Sequence, residues 1–135
     1  MTTSAHTMHD LRRLGIHEFA HSIVARKLGA AGFVRFFADA SAQFQLYGDL
    51  ADDEWRIVAL AGTIAECVDD DRELSPVQMS ERLRTQAVTL SDTDARLAAG
   101  FDMHDIERCL ELVRAAWHEI EAEAASMPAF SAAIP

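Results

Sequence analysis

Leu14-Gly15-Ile16-His17-Glu18-Phe19-Ala20-His21-Ser22-Ile23-Val24 is the stretch on which the reading of this chain turns. Leu11, Leu14, Phe19, Ile23, Val24 and Leu28 recur at helical spacing, which predicts one helix over residues 8–28 with Gly29 as its C-cap. Inside that helix, His17-Glu18-Phe19-Ala20-His21 has the HExxH spacing. Two histidines four positions apart lie one turn apart on one helical face, so both imidazoles can reach a single Zn2+ ion, with Glu18 beside them as a general base. The chemistry this pattern predicts is metal-assisted hydrolysis of a peptide bond.

Residues 33–37 and 43–47 are rich in aromatic residues, and the second run alternates, so they read as two short strands with a hairpin loop at 38–42. A second helix is expected over 52–68, opening on acidic residues that suit a helix N-terminus. Ser75-Pro76 then provides N-cap and N1 chemistry for a third, over 76–87. Ser91-Asp92-Thr93-Asp94 precedes a short helical piece at 95–99, closed by Gly100. A last helix is expected over 102–125, with Ile106, Leu110, Val113, Trp117 and Ile120 on one stripe. The predicted class is mainly α with a small β-hairpin, one domain over 1–125 and a loose tail at 126–135.

Composition excludes several alternatives. Half of the 135 residues are hydrophobic and a quarter charged, the balance of a packed globular chain. The longest apolar run, residues 57–65, is interrupted by Gly62 and Thr63 and falls far short of the ~20 residues a membrane helix needs. The first ten residues lack a basic segment followed by an apolar one, so no secretory signal is read there and a cytoplasmic location is expected. A net charge of −10 disfavours nucleic acid and anionic membrane as partners. That charge is unevenly placed. Arg12, Arg13, Arg26, Lys27 and Arg35 against Asp10 and Glu18 make the first 37 residues +3 and leave −13 for the rest. Cys67 and Cys109 have no CxxC spacing and fall in helical apolar patterns, so they read as free buried thiols. His6 and His9 read as exposed side chains, and Asp69-Asp70-Asp71 as a solvated helix end.

A peptidase zinc site needs a third protein ligand and an open position. No third histidine follows at the HExxHxxGxxH spacing, so the ligand must come from farther along the chain. Glu66 lies in an otherwise apolar helix and needs a partner, either the metal site or an arginine. Asp94 is the other acid in a suitable context, as ligand or as a helix-terminal acid.

The chain resembles the peptidase domain of the FtsH-type ATP-dependent zinc proteases, the M41 peptidases, over about residues 14–120. In that family an HEAGH helix is followed by a short β segment, a Gly-Gly-Arg-x-Ala-Glu-Glu helix and a Ser-Asn-Asp stretch. Here the matching stretches are His17 to His21, the two predicted strands, Ala61-Gly62-Thr63-Ile64-Ala65-Glu66, and Ser91-Asp92-Thr93-Asp94 with the residues after it. Ala20 stands where the family has Gly, and Thr63 and Cys67 stand where it has Arg and the second Glu. The resemblance implies a zincin-like helical peptidase fold, Zn2+ bound by His17, His21 and Asp94, Glu18 as general base, and Glu66 supporting the ligands.

It further implies a zinc-dependent endopeptidase acting on peptides or unfolded protein segments. No GxxxxGKS or GxxxxGKT occurs in the chain, so no phosphate-cradling ATPase loop accompanies this domain, and it reads as freestanding, with a separate ATPase or a homo-oligomer left open as partner. Phe44, Gln45, Leu46 and Tyr47 are the expected substrate-binding residues, because an exposed strand edge can pair with an extended peptide. Tyr47, His104 and His118 stand without an assigned role among residues able to stabilise a transition state. A catalytically inactive binding or regulatory module of the same fold is the alternative, followed by an unrelated helical domain in which HExxH is accidental.

Overall fold

The computed structural model describes residues 3–36 and 42–126. In chain order it forms α1 (Thr3–Lys27), β1 (Ala31–Phe36), β2 (Ala42–Tyr47), α2 (Asp52–Asp70), α3 (Pro76–Arg84), α4 (Asp92–Leu97), α5 (Met103–Ala115) and α6 (Trp117–Ala125). The protein is mainly helical, with one two-stranded antiparallel sheet among the described residues. The expected hairpin loop falls on residues 37–41 and the expected tail on 127–135, both outside the described residues, as are the side chains of His6 and His9.

Two helices form the centre. In α1, residues 20–25 are all buried, and in α2 residues 57–65 are all buried. A helix segment covered on every side cannot be amphipathic in the ordinary sense, and in residues 57–65 of α2 small and apolar residues occupy every face, whereas α1 keeps Arg12, Arg26 and Lys27 exposed. Packed around them are α5 and α6, α3 on α5, α4 on α2, and the hairpin on α1. Ile16, Ile23, Ile57, Leu60, Ile64, Ile106, Leu110 and Ile120 are fully buried, each contributing about 1.5–3 kcal/mol of transfer free energy.

The α1–α2 crossing is antiparallel and meshes by rows of residues four apart. Arg13, His17 and His21 on α1 meet Asp70, Glu66 and the backbone of Val58 on α2, in that order. Gly62 lies within this α2 row. The hairpin is fixed to the same helix, since Ser22 Oγ donates to the Gly32 carbonyl at 2.7 Å. Gly32 also leaves room for an aromatic ring: a Cβ there would stand 2.6 Å from Phe44 Cε1.

Several boundaries differ from the sequence reading. The first helix begins at Thr3, and β1 begins at Ala31, because Ala31 and Gly32 pair with Tyr47 and Leu46. Helix α3 stops at Arg84 rather than 87, where Thr85 Oγ1 turns back onto the Glu81 carbonyl and Gln86 adopts the left-handed φ of 61°. The short helix is Asp92–Leu97, earlier than expected, since Ser91 is its N-cap and accepts from the Asp94 amide. The last predicted helix is two, separated at Ala116, with φ −97° and ψ 6°, and neither glycine nor proline marks the break. The Asp69-Asp70-Asp71 run is not simply solvated: Asp69 accepts from Arg12 at 2.7 Å and Asp70 from Arg13 at 2.7 Å. No helix among the described residues is long and apolar enough to cross a membrane.

Candidate metal centre

His17 and His21 project from adjacent turns of α1 toward α2, as their i and i+4 spacing dictates. Each imidazole has one nitrogen committed. His17 Nδ1 lies 2.7 Å from Glu66 Oε2, and His21 Nδ1 lies 2.6 Å from the Val58 carbonyl oxygen. An acceptor on Nδ1 fixes a proton there, so that Nε2 is the nitrogen that can give up its proton and offer a lone pair, the tautomer a metal ligand requires.

The two Nε2 atoms are 3.2 Å apart, and each is 3.4 Å from Asp94 Oδ2. Ligands held tetrahedrally by bonds of about 2.0–2.1 Å stand about 3.3–3.4 Å from one another, so the three atoms have the mutual spacing of a zinc ligand set. Among the described residues this is the one trio of histidine and carboxylate groups so arranged, with its ligand atoms within 4.8 Å of each other. The donor set, two imidazoles and a carboxylate, suits zinc. Gly62 leaves room for the two imidazoles, since a Cβ there would come within 2.6 Å of both Nε2 atoms.

Asp94 reaches the histidines because of its place in α4. The helix cap is Ser91, so Asp94 at the third helical position is released from capping and is buried, with its carboxylate turned inward. Burial works against its charge, but hydrogen bonds from His17 and His21 outweigh that and hold the carboxyl well below the usual carboxylate range. Burial likewise opposes the charge on His17. The acceptors Asp94 and Glu66 prevail, and the imidazole is pushed up to about 9.

Glu18 flanks the trio, with Oε1 3.8 Å from His17 Nε2. Burial pushes its carboxyl up, partly offset by the two imidazoles and by a hydrogen bond from the Phe44 amide. An amide aimed at Glu18 is aimed away from β1, so the free edge of β2 faces the cleft. The Phe44 ring stacks on His21, with centroids 5.5 Å apart and an interplanar angle of 23°. A cleft of about 490 Å³ opens here, with Glu18, His17, His21, Asp94, Ser91 and Thr93 on its polar side and Phe44, Leu46, Trp55, Val58, Ala59 and Leu97 on its apolar side.

Of the four residues expected on the substrate strand, Phe44 and Leu46 line this cleft, whereas Gln45 and Tyr47 alternate to the opposite face. Tyr47 is 57% exposed and its hydroxyl donates to Gln45 Oε1 at 3.3 Å. None of Tyr47, His104 and His118 lines the cleft. Glu66 takes both roles left open for it: it accepts from His17, and its other oxygen lies 3.4 Å from Arg13 Nη2. Arg13, Trp55, Thr93 and Leu97 were not singled out by sequence. Arg13 could have been, being one turn before His17 on the same face; the Val58 carbonyl carries no side-chain signal at all. No family model matches the chain, and no curated protein matches it.

Proposed function

We propose that this chain is a zinc-dependent endopeptidase with a zincin-like fold of the FtsH peptidase type, cutting peptides or unfolded protein segments. The observation that carries the reading is the convergence of His17 Nε2, His21 Nε2 and Asp94 Oδ2 at tetrahedral spacing beside the carboxylate of Glu18. When bound, zinc supplies Lewis acidity, polarising a carbonyl and acidifying a water. His17, His21 and Asp94 would hold it, the imidazoles through Nε2 because both Nδ1 atoms are committed elsewhere.

Glu18 is the proton carrier. Its carboxylate takes a proton from the attacking water and returns it to the departing amine, and burial raises its basicity toward the range where such transfer works near neutral pH. Besides the Phe44 amide that Glu18 engages, the outer edge of β2 offers the Phe44 carbonyl and the backbone groups of Leu46, to which an extended substrate can add as a further strand. Strand addition demands an extended chain, which is why peptides and unfolded segments are the substrates proposed. The apolar wall of Leu46, Trp55 and Leu97 receives side chains next to the cut.

The test is Glu18→Gln. The variant should bind zinc like the parent and lose at least about a hundredfold in kcat/KM on an unstructured peptide. Undiminished hydrolysis by Glu18→Gln, or no hydrolysis by the zinc-loaded parent on a panel of unstructured peptides, would overturn the reading.

A further inference from the structure

We propose that Arg13 is a positioning residue for the metal centre: it clamps Glu66 so that His17 is held with Nε2 aimed at the ion. The proposal rests on the zinc-binding reading above and extends it one residue farther from the ion. Arg13 sits one helical turn before His17, in the row of α1 that meshes with α2. Its guanidinium makes four contacts with that helix, the longest between Nη1 and Asp69 Oδ2 at 3.7 Å. Nη1 donates to Asp70 Oδ1 at 2.7 Å and to the Glu66 carbonyl at 3.3 Å, and Nη2 lies 3.4 Å from Glu66 Oε1. The other Glu66 oxygen, Oε2, is the one that accepts from His17 Nδ1.

The carboxylate of Glu66 is thus held between a guanidinium on one oxygen and an imidazole on the other. Without the guanidinium, a glutamate on a partly exposed helix face has several rotamers open to it, and only some of them reach His17. The planar fork suits this task better than a single charge would, because it engages backbone and side chain of the same residue and the next acid one turn on. Asp70 is 61% exposed at its side chain, so its pair with Arg13 adds little by itself. The contacts to Glu66 are those the metal centre feels. Arg12 spans the same two helices but contacts Asp69 and Glu121 rather than Glu66 or His17, which makes it an internal control.

The experiment measures zinc affinity by competition with a chromophoric chelator, at one pH and salt concentration, for the parent and for Arg13→Ala, Arg13→Lys, Arg12→Ala, Glu66→Gln and the double variant Arg13→Ala/Glu66→Gln. Circular dichroism melts run alongside. Loss of a group that orients a metal ligand costs about 10–100-fold in affinity. Arg13→Ala should fall in that range, Arg13→Lys should recover part of the loss, and Arg12→Ala should stay within about threefold of the parent. Because Arg13 acts through Glu66, removing it from the Glu66→Gln background should cost much less than removing it from the parent.

A residue needed only for stability would lower the melting temperature equally in both backgrounds and leave affinity alone. Equal affinity of Arg13→Ala and parent, or an equal loss in both backgrounds, overturns the proposal. If Arg13→Ala does not fold, Arg13→Lys decides the matter, since its affinity must then fall below that of Arg12→Ala. A parent that binds no zinc overturns the metal reading itself, and is told apart by the parent titration alone.

Discussion

A Cβ on Gly62 would stand 2.6 Å from His17 Nε2, closer than real side chains approach, and equally close to His21 Nε2. The row on α2 that meshes with the histidines therefore has to be empty at that one position. In an ordinary helix interior, glycine to alanine gains about 1 kcal/mol of propensity. Here Gly62→Ala should reverse that gain, forcing both imidazoles aside and lowering zinc affinity at least tenfold. Chelator competition and a melting curve check it; an alanine variant that is more stable and binds zinc like the parent would remove Gly62 from the site.

Asp94 and Glu66 both touch His17, yet the structure gives them different work. Asp94 shares its Oδ2 between the two Nε2 atoms, whereas Glu66 meets only Nδ1, on the far side of the ring. Asp94→Ala should remove a ligand and reduce zinc affinity by more than a hundredfold. Glu66→Ala should cost about 10–100-fold, with the trio intact. Titration of both variants decides the assignment, and the reverse order would make Glu66 the ligand.

On the metal reading proposed above, protons and metal would compete for His17. In the metal-free protein its imidazole is pushed up to about 9 from an ordinary 6.5, because Asp94 and Glu66 outweigh burial. A raised folded-state value contributes stability that is complete below pH 6.5 and is lost as pH climbs through 9. The metal-free protein should therefore melt lower at pH 9.5 than at pH 7 through this group. Zinc affinity should move the other way, rising about tenfold per pH unit between 7 and 9 as one proton is displaced. An affinity independent of pH over that interval would contradict a protonated His17.

The two thiols should be silent until the protein opens. Burial pushes both Cys67 and Cys109 upward, and Cys109 Sγ donates to the Ile57 carbonyl. A disulfide-exchange reagent should modify neither in the native protein while both react rapidly in denaturant. Fast labelling of either native thiol would show that the packing around it is looser than described.

Much of this architecture could be read in advance, for reasons that differ by element. The HExxH pattern lies on a helix because its apolar neighbours carry helical periodicity, and the aromatic alternation of residues 43–47 marked a strand. The break at Ala116 was invisible, since an alanine pair inside an apolar stripe gives no local reason to stop. The end of α3 at Arg84 depends on a left-handed Gln86, which residue type alone does not announce. At the site, His17, His21, Glu18, Glu66 and Asp94 drew attention as chemical types in suggestive positions. What escaped was the wiring between helices. Asp69 and Asp70 read as solvent-facing because their arginine partners lie far back in the chain, and the Val58 carbonyl that orients His21 belongs to every residue type alike.

The histidines and Asp94 stand on supports of unequal strength. His17 and His21 ride on the long α1, which is enclosed over residues 20–25, while Asp94 rides on the six-residue α4, too short to persist alone. With a metal bound, that small helix is cross-linked to the chain's centre across a very long loop, and closing such a loop removes freedom chiefly from the unfolded chain. On the proposed reading the ion would then be a clasp as well as a reagent. Removing it frees α4 ahead of the two central helices, so amide exchange in residues 92–97 should quicken on chelation while residues 57–65 stay protected.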